Sequence, residues 1–302
     1  SVAGRVRDEN GMRDDYRNYL FEHYLNVVAR YRPMAFVFEN VPGMLSAMPD
    51  GTPITQLIRK GFDGIGYEIV DDIKKYAKIN ASDYGVPQHR ERLIILGIRK
   101  DICDNPQVLL KEFYTEILPT YKCDHKITVG EAIGDLPAIY PIINKGSSPR
   151  RIGYTKPECN TSWHRARHHS LRDVEIYGML ADDIMSGRNE YVDSKTLSAL
   201  YEERVGAKSP IHRYHVLRQD EPSTTIISHL DRDGNRFIHY DPKQCRDITP
   251  REAARIQSFD DDFEFIGNQT DTYIMIGNAV PPKLAKCVAL AVAEILDKLT
   301  GK

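Results

Sequence analysis

Apolar residues near the start of the chain follow first a helical and then a strand pattern. Residues 15–31 predict an amphipathic helix, since one face at helical spacing carries Leu20, Tyr24, Val28 and Tyr31. Arg32 and Pro33 would end that helix, because a residue before proline disfavours the helical conformation. Ala35–Phe38 is an uninterrupted apolar run, which is typical of a strand buried on both faces. This order of helix and strand favours a doubly wound α/β sheet.

Regular patterns return later in the chain. Arg92–Ile98 predicts a second buried strand. Thr249–Glu252 has the sequence of a capping box with proline at the first helical position, so we expect a helix to begin there. Residues 273–277 predict a short strand before a tight loop. Pro282 would then begin a terminal helix, with an apolar stripe of Leu284, Val288, Val292, Ile295 and Leu299.

The middle of the chain is less regular. Residues 131–245 are richer in Pro, Gly, Ser and His, and the β-rich runs on either side of Asp233 and Gly234 predict a hairpin. The pattern indicates a loop-rich lobe inserted into a discontinuous main domain. We therefore predict part of the main domain over residues 1–130, a second domain over 131–268, and a return to the main domain over 269–302.

Composition narrows the class of protein. The chain is 41% hydrophobic and 28% charged, which is ordinary for a globular protein. It has no apolar stretch long enough to span a membrane and no signal-peptide pattern at its start. Five cysteines without a CxxC pair favour a reducing compartment, so we expect a cytoplasmic protein.

Charge is balanced overall but not locally. The formal net charge is −2, which gives no global argument for nucleic-acid binding. Between Lys145 and Arg172, however, seven Lys or Arg residues accompany one acid, Glu158, together with Tyr154 and Trp163. A basic segment with aromatic residues is attracted to a phosphate backbone. A solvated loop is the alternative interpretation of this segment alone.

Glu39 follows the first predicted strand directly, at the position where ligands bind in an open α/β sheet. Burying a carboxylate is costly unless it has partners. Glu39 could cap nearby backbone amides, or it could be a catalytic acid held uncharged by an apolar setting.

Four segments of the sequence occur in the order of known motifs. FVFENV, YGVPQHRERLIILGIR, RDITPREAARIQSF and IGNAVPP resemble the ENV, QxRxR, RExARxQSF and GNxVPP motifs of the DNA (cytosine-5) methyltransferases. The resemblance covers nearly the whole chain except the middle, where the family has its target recognition domain. It implies an α/β, doubly wound Rossmann-like methyltransferase sheet, incomplete in this chain, with a smaller irregular recognition domain.

The resemblance implies an activity and its residues. The activity is methyl transfer from S-adenosylmethionine to C5 of a cytosine flipped out of duplex DNA. Thiolate addition at C6 places charge on the ring, which Glu39 would take up at N3 and Arg92 at O2, while Arg90 orders the site or a phosphate. The cofactor pocket would include Leu20, Asn278, Ala279 and Val280, whereas no metal ion is implied.

DNA contacts follow partly from charge and partly from the resemblance. Residues 1–15 resemble the family's mobile loop, and Thr225 matches a threonine near a backbone phosphate. The expected DNA-binding residues are therefore Ser1, Arg5, Lys156, Arg165, Arg167 and Thr225. The expected partners are duplex DNA and a cognate restriction endonuclease, with a monomeric chain or one complemented by a missing amino-terminal segment.

The family's nucleophile is absent from this sequence. It is the cysteine of a Pro-Cys-Gln-x-Phe-Ser loop, and none of the five cysteines has that context. The opening SVAGR resembles the residues that follow this loop, so we expect upstream sequence, including the glycine-rich cofactor motif. A split enzyme and a non-catalytic DNA-binding relative are alternatives.

Two further alternatives concern the substrate and a metal. An RNA-methylating branch of the family is associated with a Cys-Phe-Thr element, which does not occur here. Cys159, His164, His168 and His169 are zinc-ligand types, but their spacing completes no four-ligand site.

Overall fold

The computed structural model describes residues 20–144, 148–206 and 214–301. Two compact units divide the chain. The first unit contains Ser1–Tyr84, Glu91–Cys123 and Ala285–Lys302, and the second contains Gly85–Arg90 and Asp124–Leu284. The chain thus leaves the first unit and returns to it. Compared with the boundaries proposed from sequence, residues 85–90, 124–130 and 269–284 lie in the second unit.

The described helices and strands are these, in chain order: α1 (Leu20–Tyr31), β1 (Ala35–Asn40), α2 (Ile54–Gly64), β2 (Tyr67–Ile69), α3 (Ile73–Tyr76), β3 (Lys78–Asn80), β4 (Glu91–Arg99), α4 (Pro106–Glu112), α5 (Val129–Ile133), β5 (Pro141–Ile142), β6 (Gly153–Tyr154), α6 (Leu171–Met185), α7 (Ser194–Val205), α8 (Pro250–Ile256), α9 (Gln269–Asn278) and α10 (Pro282–Thr300).

The sheet of the first unit is built around β4. This strand pairs antiparallel with β1, β2 and β3. Residues 93–98 of β4 are buried on both faces, as the continuous apolar sequence predicts. In β1 burial alternates instead, with Phe36 and Phe38 buried. β1 lies at the edge of the described sheet, which has order β1-β4-β2, and among the described strands no pair in this sheet is parallel.

Aromatic packing fixes β1 against α2 and β4. The Phe36 ring stacks on Phe62 of α2 with centroids 4.3 Å apart. It also covers Gly97 of β4, where an added Cβ would lie 2.2 Å from the ring. A side chain at Gly97 would therefore displace Phe36. On α1, Val28 is buried as predicted, but Tyr31 is 73% exposed, so its placement on the apolar face was wrong.

The terminal helix joins the first unit from Ala285 onward. Helix α10 begins at Pro282 as predicted, and its apolar stripe faces inward, with Val288 and Ile295 buried. Its exposed side is tied to the unit by an ion pair between Lys298 and Glu112. The predicted return of the carboxyl-terminal helix to the sheet-bearing unit is confirmed.

Helices in the second unit follow their capping sequences. Thr249 forms the predicted capping box of α8, with Pro250 in the first turn. Residues 273–277 form part of α9 and not the predicted strand, which was wrong. The signal for this helix was a second capping box, in which Asn268 bonds to the backbone of Asp271. The predicted hairpin is also absent from this part of the described chain, where residues 234–236 form a 3₁₀ turn.

Two apolar clusters support the second unit. One packs α5, α8 and α9 together, with Ile133, Ile256 and Ile276 at most 2% exposed. The other lies between α6 and α7 and includes Tyr177 and Leu200. The loop-rich segments of this unit are therefore anchored on ordinary hydrophobic cores.

Candidate active site

Sheet register brings Glu39 and Arg92 to one face of the first unit's sheet. Glu39 of β1 pairs with Ile94 of β4, and Arg92 lies two residues before Ile94. Side chains two residues apart on a strand point to the same face, and diagonal neighbours across an antiparallel pair lie within reach of long side chains. The two residues therefore meet through strand pairing, although they are far apart in sequence.

The pair is close and partly open to solvent. Arg92 Nε lies 3.0 Å from Glu39 Oε1, and the side chains are 13% and 33% exposed, respectively. Arg92 Nη1 donates to the backbone carbonyl of Glu91 at 2.7 Å. Among the described residues, neither Glu39 Oε2 nor Arg92 Nη2 has a hydrogen-bond partner. One acceptor position and one donor position are therefore open to a ligand.

The surroundings differ from the expected apolar setting of Glu39. Its carboxylate is a third exposed and contacts a guanidinium, whereas an apolar pocket was predicted. Burial lowers the pKa of Arg92, and the charge of Glu39 partly opposes that shift. Arg92 thus orients Glu39 by holding one of its two oxygens.

Arg90 occupies a different environment. It precedes β4 and belongs to the second unit, where its side chain is buried. Its guanidinium donates to the carbonyls of Ile226 at 2.8 Å, Gly277 at 3.0 Å and Ala279 at 3.1 Å. These contacts hold backbone carbonyls of the second unit, and the two expected roles of Arg90, ordering the site or contacting a phosphate, stay predictions.

The segment Asn278–Val280 has the properties required of a ligand-binding edge. Ala279 is extended, with φ −68° and ψ 149°, and its carbonyl is held by Arg90 and Gln257. The Val280 side chain is exposed, and the exposed Asn278 amide has no hydrogen bond to another described residue. A fixed backbone that presents an apolar and an amide side chain fits a nucleoside such as that of S-adenosylmethionine. The side chain of Leu20 lies outside the described residues.

Lys156 and Arg165 are exposed in the second unit, as phosphate contacts must be. The Arg165 guanidinium lies over the Trp163 ring, 4.7 Å from its centroid. Trp163 is anchored in turn, since its Nε1 donates to the carbonyl of Phe265 at 3.1 Å. The stacked pair therefore projects a positive charge from a rigid support.

Arg167 and Thr225 are engaged within the second unit. Arg167 Nη2 lies 2.5 Å from Asp247 Oδ2, and its Nη1 donates to the carbonyl of Asp231. The carboxylate of Asp247 is fully buried, so this arginine compensates an interior charge, and its expected role as a phosphate contact stays a prediction. The Thr225 hydroxyl donates to the carbonyl of His89 at 2.5 Å, so its one O–H is engaged within the second unit. Ser1 and Arg5 lie outside the described residues.

The histidines considered as zinc ligands bind protein groups. His164 contacts the Thr249 hydroxyl at 3.2 Å and the Pro137 carbonyl at 2.8 Å. His169 contacts Asp247 at 2.9 Å. Within the described ranges, no group of three or more His, Cys, Asp or Glu residues is placed to hold a metal ion.

Comparison with known proteins identifies the family. The model of the C-5 cytosine-specific DNA methylases matches residues 1–294. The chain belongs to the C-5 cytosine-specific DNA methylase family. It is thus a DNA methyltransferase, an enzyme class that also accounts for the four sequence motifs.

This methyltransferase is similar to curated type II methyltransferases of bacteria and archaea. It is 32% identical to a type II methyltransferase of Bacillus paralicheniformis, over 98% of this chain and 68% of the relative. It is 31% identical to a type II methyltransferase of Methanothermobacter thermautotrophicus, over 94% of this chain and 73% of the relative. A prophage-encoded Escherichia coli protein named as a DNA modification methyltransferase shares the fold, with a TM-score of 0.54 at 24% identity. That alignment covers 94% of this chain and 76% of the other.

Sequence reasoning missed several buried polar residues that organise the methyltransferase's second unit. Gln257 and Asp247 are fully buried, as is the ion pair of Arg246 with Glu252. All four residues lie in the RDITPREAARIQSF motif, so the motif was visible but the function of each position was not. No helix in the described ranges is long and apolar enough to cross a membrane.

Proposed function

We propose that Glu39 and Arg92 activate a flipped cytosine of duplex DNA for methyl transfer at C5. The observation that carries this proposal is their 3.0 Å ion pair, which leaves Glu39 Oε2 and Arg92 Nη2 without partners among the described residues. With a proton on Oε2, an O–H and an N–H lie side by side, and both can donate to the acceptor atoms N3 and O2 of cytosine.

The chemistry requires those two groups to act together. When a thiolate adds to C6, negative charge develops on N3 and O2. A proton carried on Glu39 Oε2 passes to N3, while Arg92 Nη2 donates a hydrogen bond to O2 and stabilises the charge. C5 then takes the methyl group and loses its proton to a base. The C6–S bond breaks to restore the ring double bond and release the thiolate, and N3 returns its proton to Glu39. The nucleophile is assigned to none of this chain's five cysteines.

S-adenosylmethionine supplies the electrophilic methyl group when it is bound. Asn278 and Val280 are the described side chains that would hold it, and Ala279 fixes the backbone between them. Leu20 stays part of the proposal from resemblance alone. Arg90 acts as a positioning residue, because its three hydrogen bonds to carbonyls keep this backbone in place.

Duplex DNA is the proposed substrate. Extruding a base costs a few kcal/mol, so contacts to the backbone must hold the duplex while the base is in the pocket. Lys156 and Arg165 are the described side chains best placed for this. Ser1, Arg5 and the Thr225 hydroxyl, once it turns from the His89 carbonyl to the phosphate, are the further proposed contacts. Because relatives are named type II methyltransferases, we also propose a cognate restriction endonuclease, a prokaryotic cytoplasmic setting and a monomeric enzyme.

A direct test uses the full-length protein in a host that lacks cytosine methylation. Bisulfite sequencing of the host genome is expected to reveal 5-methylcytosine in one short duplex sequence. The variant Glu39→Gln should abolish this methylation while retaining DNA binding. Glu91→Gln is the matched control, since Glu91 belongs to the same sheet but pairs with Lys78 on the surface. Normal methylation by Glu39→Gln would overturn the assigned role.

A further inference from the structure

The carboxyl end of α9 is held by side chains from elsewhere in the second unit. A helix leaves its last carbonyls without intrahelical partners, and Pro281 and Pro282 have no N–H to offer. Gln257 Nε2 therefore donates to the carbonyls of Ile276 at 2.9 Å and Ala279 at 2.7 Å. Arg90 donates to the carbonyls of Gly277 and Ala279.

The same group of side chains holds the segment that contains Thr225. Gln88 Oε1 accepts from the backbone N–H of Ile226 at 3.0 Å, and Arg90 Nη1 donates to the carbonyl of that residue. Gln88 Nε2 donates in turn to Gln257 Oε1. One continuous hydrogen-bonded chain thus runs from the Thr225 segment to Ala279.

Backbone packing reinforces this link at Gly277. A Cβ added there would lie 2.4 Å from the carbonyl carbon of Ile227 and from the backbone nitrogen of Ser228. Real Cβ atoms do not approach so closely, so only glycine lets α9 lie directly on this backbone. The segment 223–228 and the last turn of α9, at Gly277, are in contact without an intervening side chain.

Burial makes the hydrogen-bonded chain rigid. Gln88 and Gln257 are fully buried, so a broken hydrogen bond would leave a polar group without water. Neither segment can therefore shift without disturbing the other. We propose that Gln257 is a positioning residue that couples cofactor binding at Asn278–Val280 to DNA contact at the Thr225 segment. This inference rests on the proposed function, which assigns those two surfaces.

The coupling is measurable as a ratio of affinities. Kd for S-adenosylhomocysteine would be measured on the full-length protein with and without sheared genomic duplex DNA. We expect DNA to tighten binding by a factor within the usual range of about 5 to 150. In Gln257→Leu the factor should fall towards one, because leucine fills the space but cannot join Gln88 to the carbonyls of Ile276 and Ala279.

Arg255→Gln provides the matched control on the same helix. Arg255 belongs to α8 and binds Asp135 and Asp261, with no hydrogen bond to the 276–279 carbonyls among the described residues. Thermal unfolding should show that both variants lower the melting temperature, whereas only Gln257→Leu changes the coupling factor. An equal loss of coupling in Arg255→Gln would assign the effect to general loosening and overturn the proposal.

Hydrogen exchange on the unmodified protein provides a test that needs no variant. S-adenosylhomocysteine should slow exchange at the amides of residues 223–228 as well as at those of 276–280. DNA should likewise slow exchange at 276–280 as well as at 223–228. Protection confined to 276–280 would overturn the inference. If the genome is methylated but the coupling factor is one, the proposed coupling through Gln257 is refuted and the proposed function stands. If coupling is present while Glu39→Gln retains turnover, the proposed function fails instead.

Discussion

Two Glu–Arg pairs in this methyltransferase use the same chemical groups in opposite settings. In the second unit, Arg246 and Glu252 are 0% and 1% exposed and form two parallel contacts of 2.7 Å. The charged atoms of this pair all have internal partners, because Glu252 also accepts a hydrogen bond from the backbone N–H of Thr249 and Arg246 also donates to Gln244. Such a pair has no position left for a ligand.

In the first unit, Arg92 and Glu39 share a single contact of 3.0 Å at partly exposed positions. One carboxylate oxygen and one guanidinium nitrogen stay available among the described residues. Completeness of pairing, and not residue type, therefore distinguishes a structural pair from a candidate catalytic pair. This difference also predicts opposite responses to mutation, in stability for one pair and in activity for the other.

The largest expected effect is on stability, from Glu252→Ala. The change would leave Arg246 as an uncompensated buried charge and would remove the capping box of α8. Breaking one partner of a buried pair costs about 3–5 kcal/mol. The free energy of unfolding, measured in urea, should fall by that amount. Glu39→Ala is the comparison variant, and an equal loss from it would contradict the distinction between the pairs.

The buried pair should also determine how the free energy of unfolding changes at acid pH. Burial opposes ionisation of Glu252, but Arg246 outweighs it and holds the pKa of this carboxyl at about 2, below the ordinary value of 4.5. A carboxyl with a depressed folded-state pKa stabilises fully above 4.5, and its contribution is lost as pH falls towards 2. That contribution is on the order of 3 kcal/mol. Urea unfolding between neutral and acid pH should show a shallower decline in Glu252→Gln than in the unmodified protein.

Glu39→Gln should instead lower activity with little effect on stability. Glutamine keeps the shape and a polar contact to Arg92 but cannot transfer a proton to N3. Loss of a positioned general acid lowers the rate by about a hundredfold or more. Single-turnover methylation assays should detect this loss, while urea unfolding should change by less than about 0.5 kcal/mol. A large change in stability with normal turnover would reverse the interpretation of the two pairs.

The smallest expected effects distinguish basic residues that contact DNA from one that stabilises the fold. Lys156→Ala should weaken DNA binding and reduce the salt dependence by about one phosphate contact, because Lys156 is exposed. Arg167→Gln should instead lower stability, because it removes a positive charge that compensates the buried Asp247 carboxylate. Salt-titrated binding assays and thermal unfolding of both variants would check this. Arg165→Ala should behave like Lys156→Ala.

Neighbouring positions show how far sequence could predict the site. Arg165 and Arg167 are two residues apart and equally basic, yet one stacks over Trp163 in solvent and the other pairs with Asp247. Asp247 lies far away in sequence, and nothing near Arg167 indicates it. The same holds for Arg90 and Arg92, which the sequence grouped as catalytic. The chain passes from the second unit to the first between them, so only Arg92 faces Glu39.

Local signals were decisive where they were complete. The capping box at Thr249 and the proline at 282 located α8 and α10 correctly. The strand predicted over residues 273–277 was wrong, because the capping box at Asn268 begins a helix that continues through these residues. Helical spacing of Thr272, Tyr273 and Ile276 on the buried side confirms that packing followed the helix.

The sequence by itself determined the family, the order of the motifs and the two strands that carry Glu39 and Arg92. These features depend on local hydrophobic runs, caps and motif spacing, which a linear pattern records. Only the tertiary structure decided which charged residues bind internal partners and which have atoms that remain available to a ligand. That distinction depends on hydrogen bonds between residues far apart in the chain, and such contacts exist only once the backbone has folded.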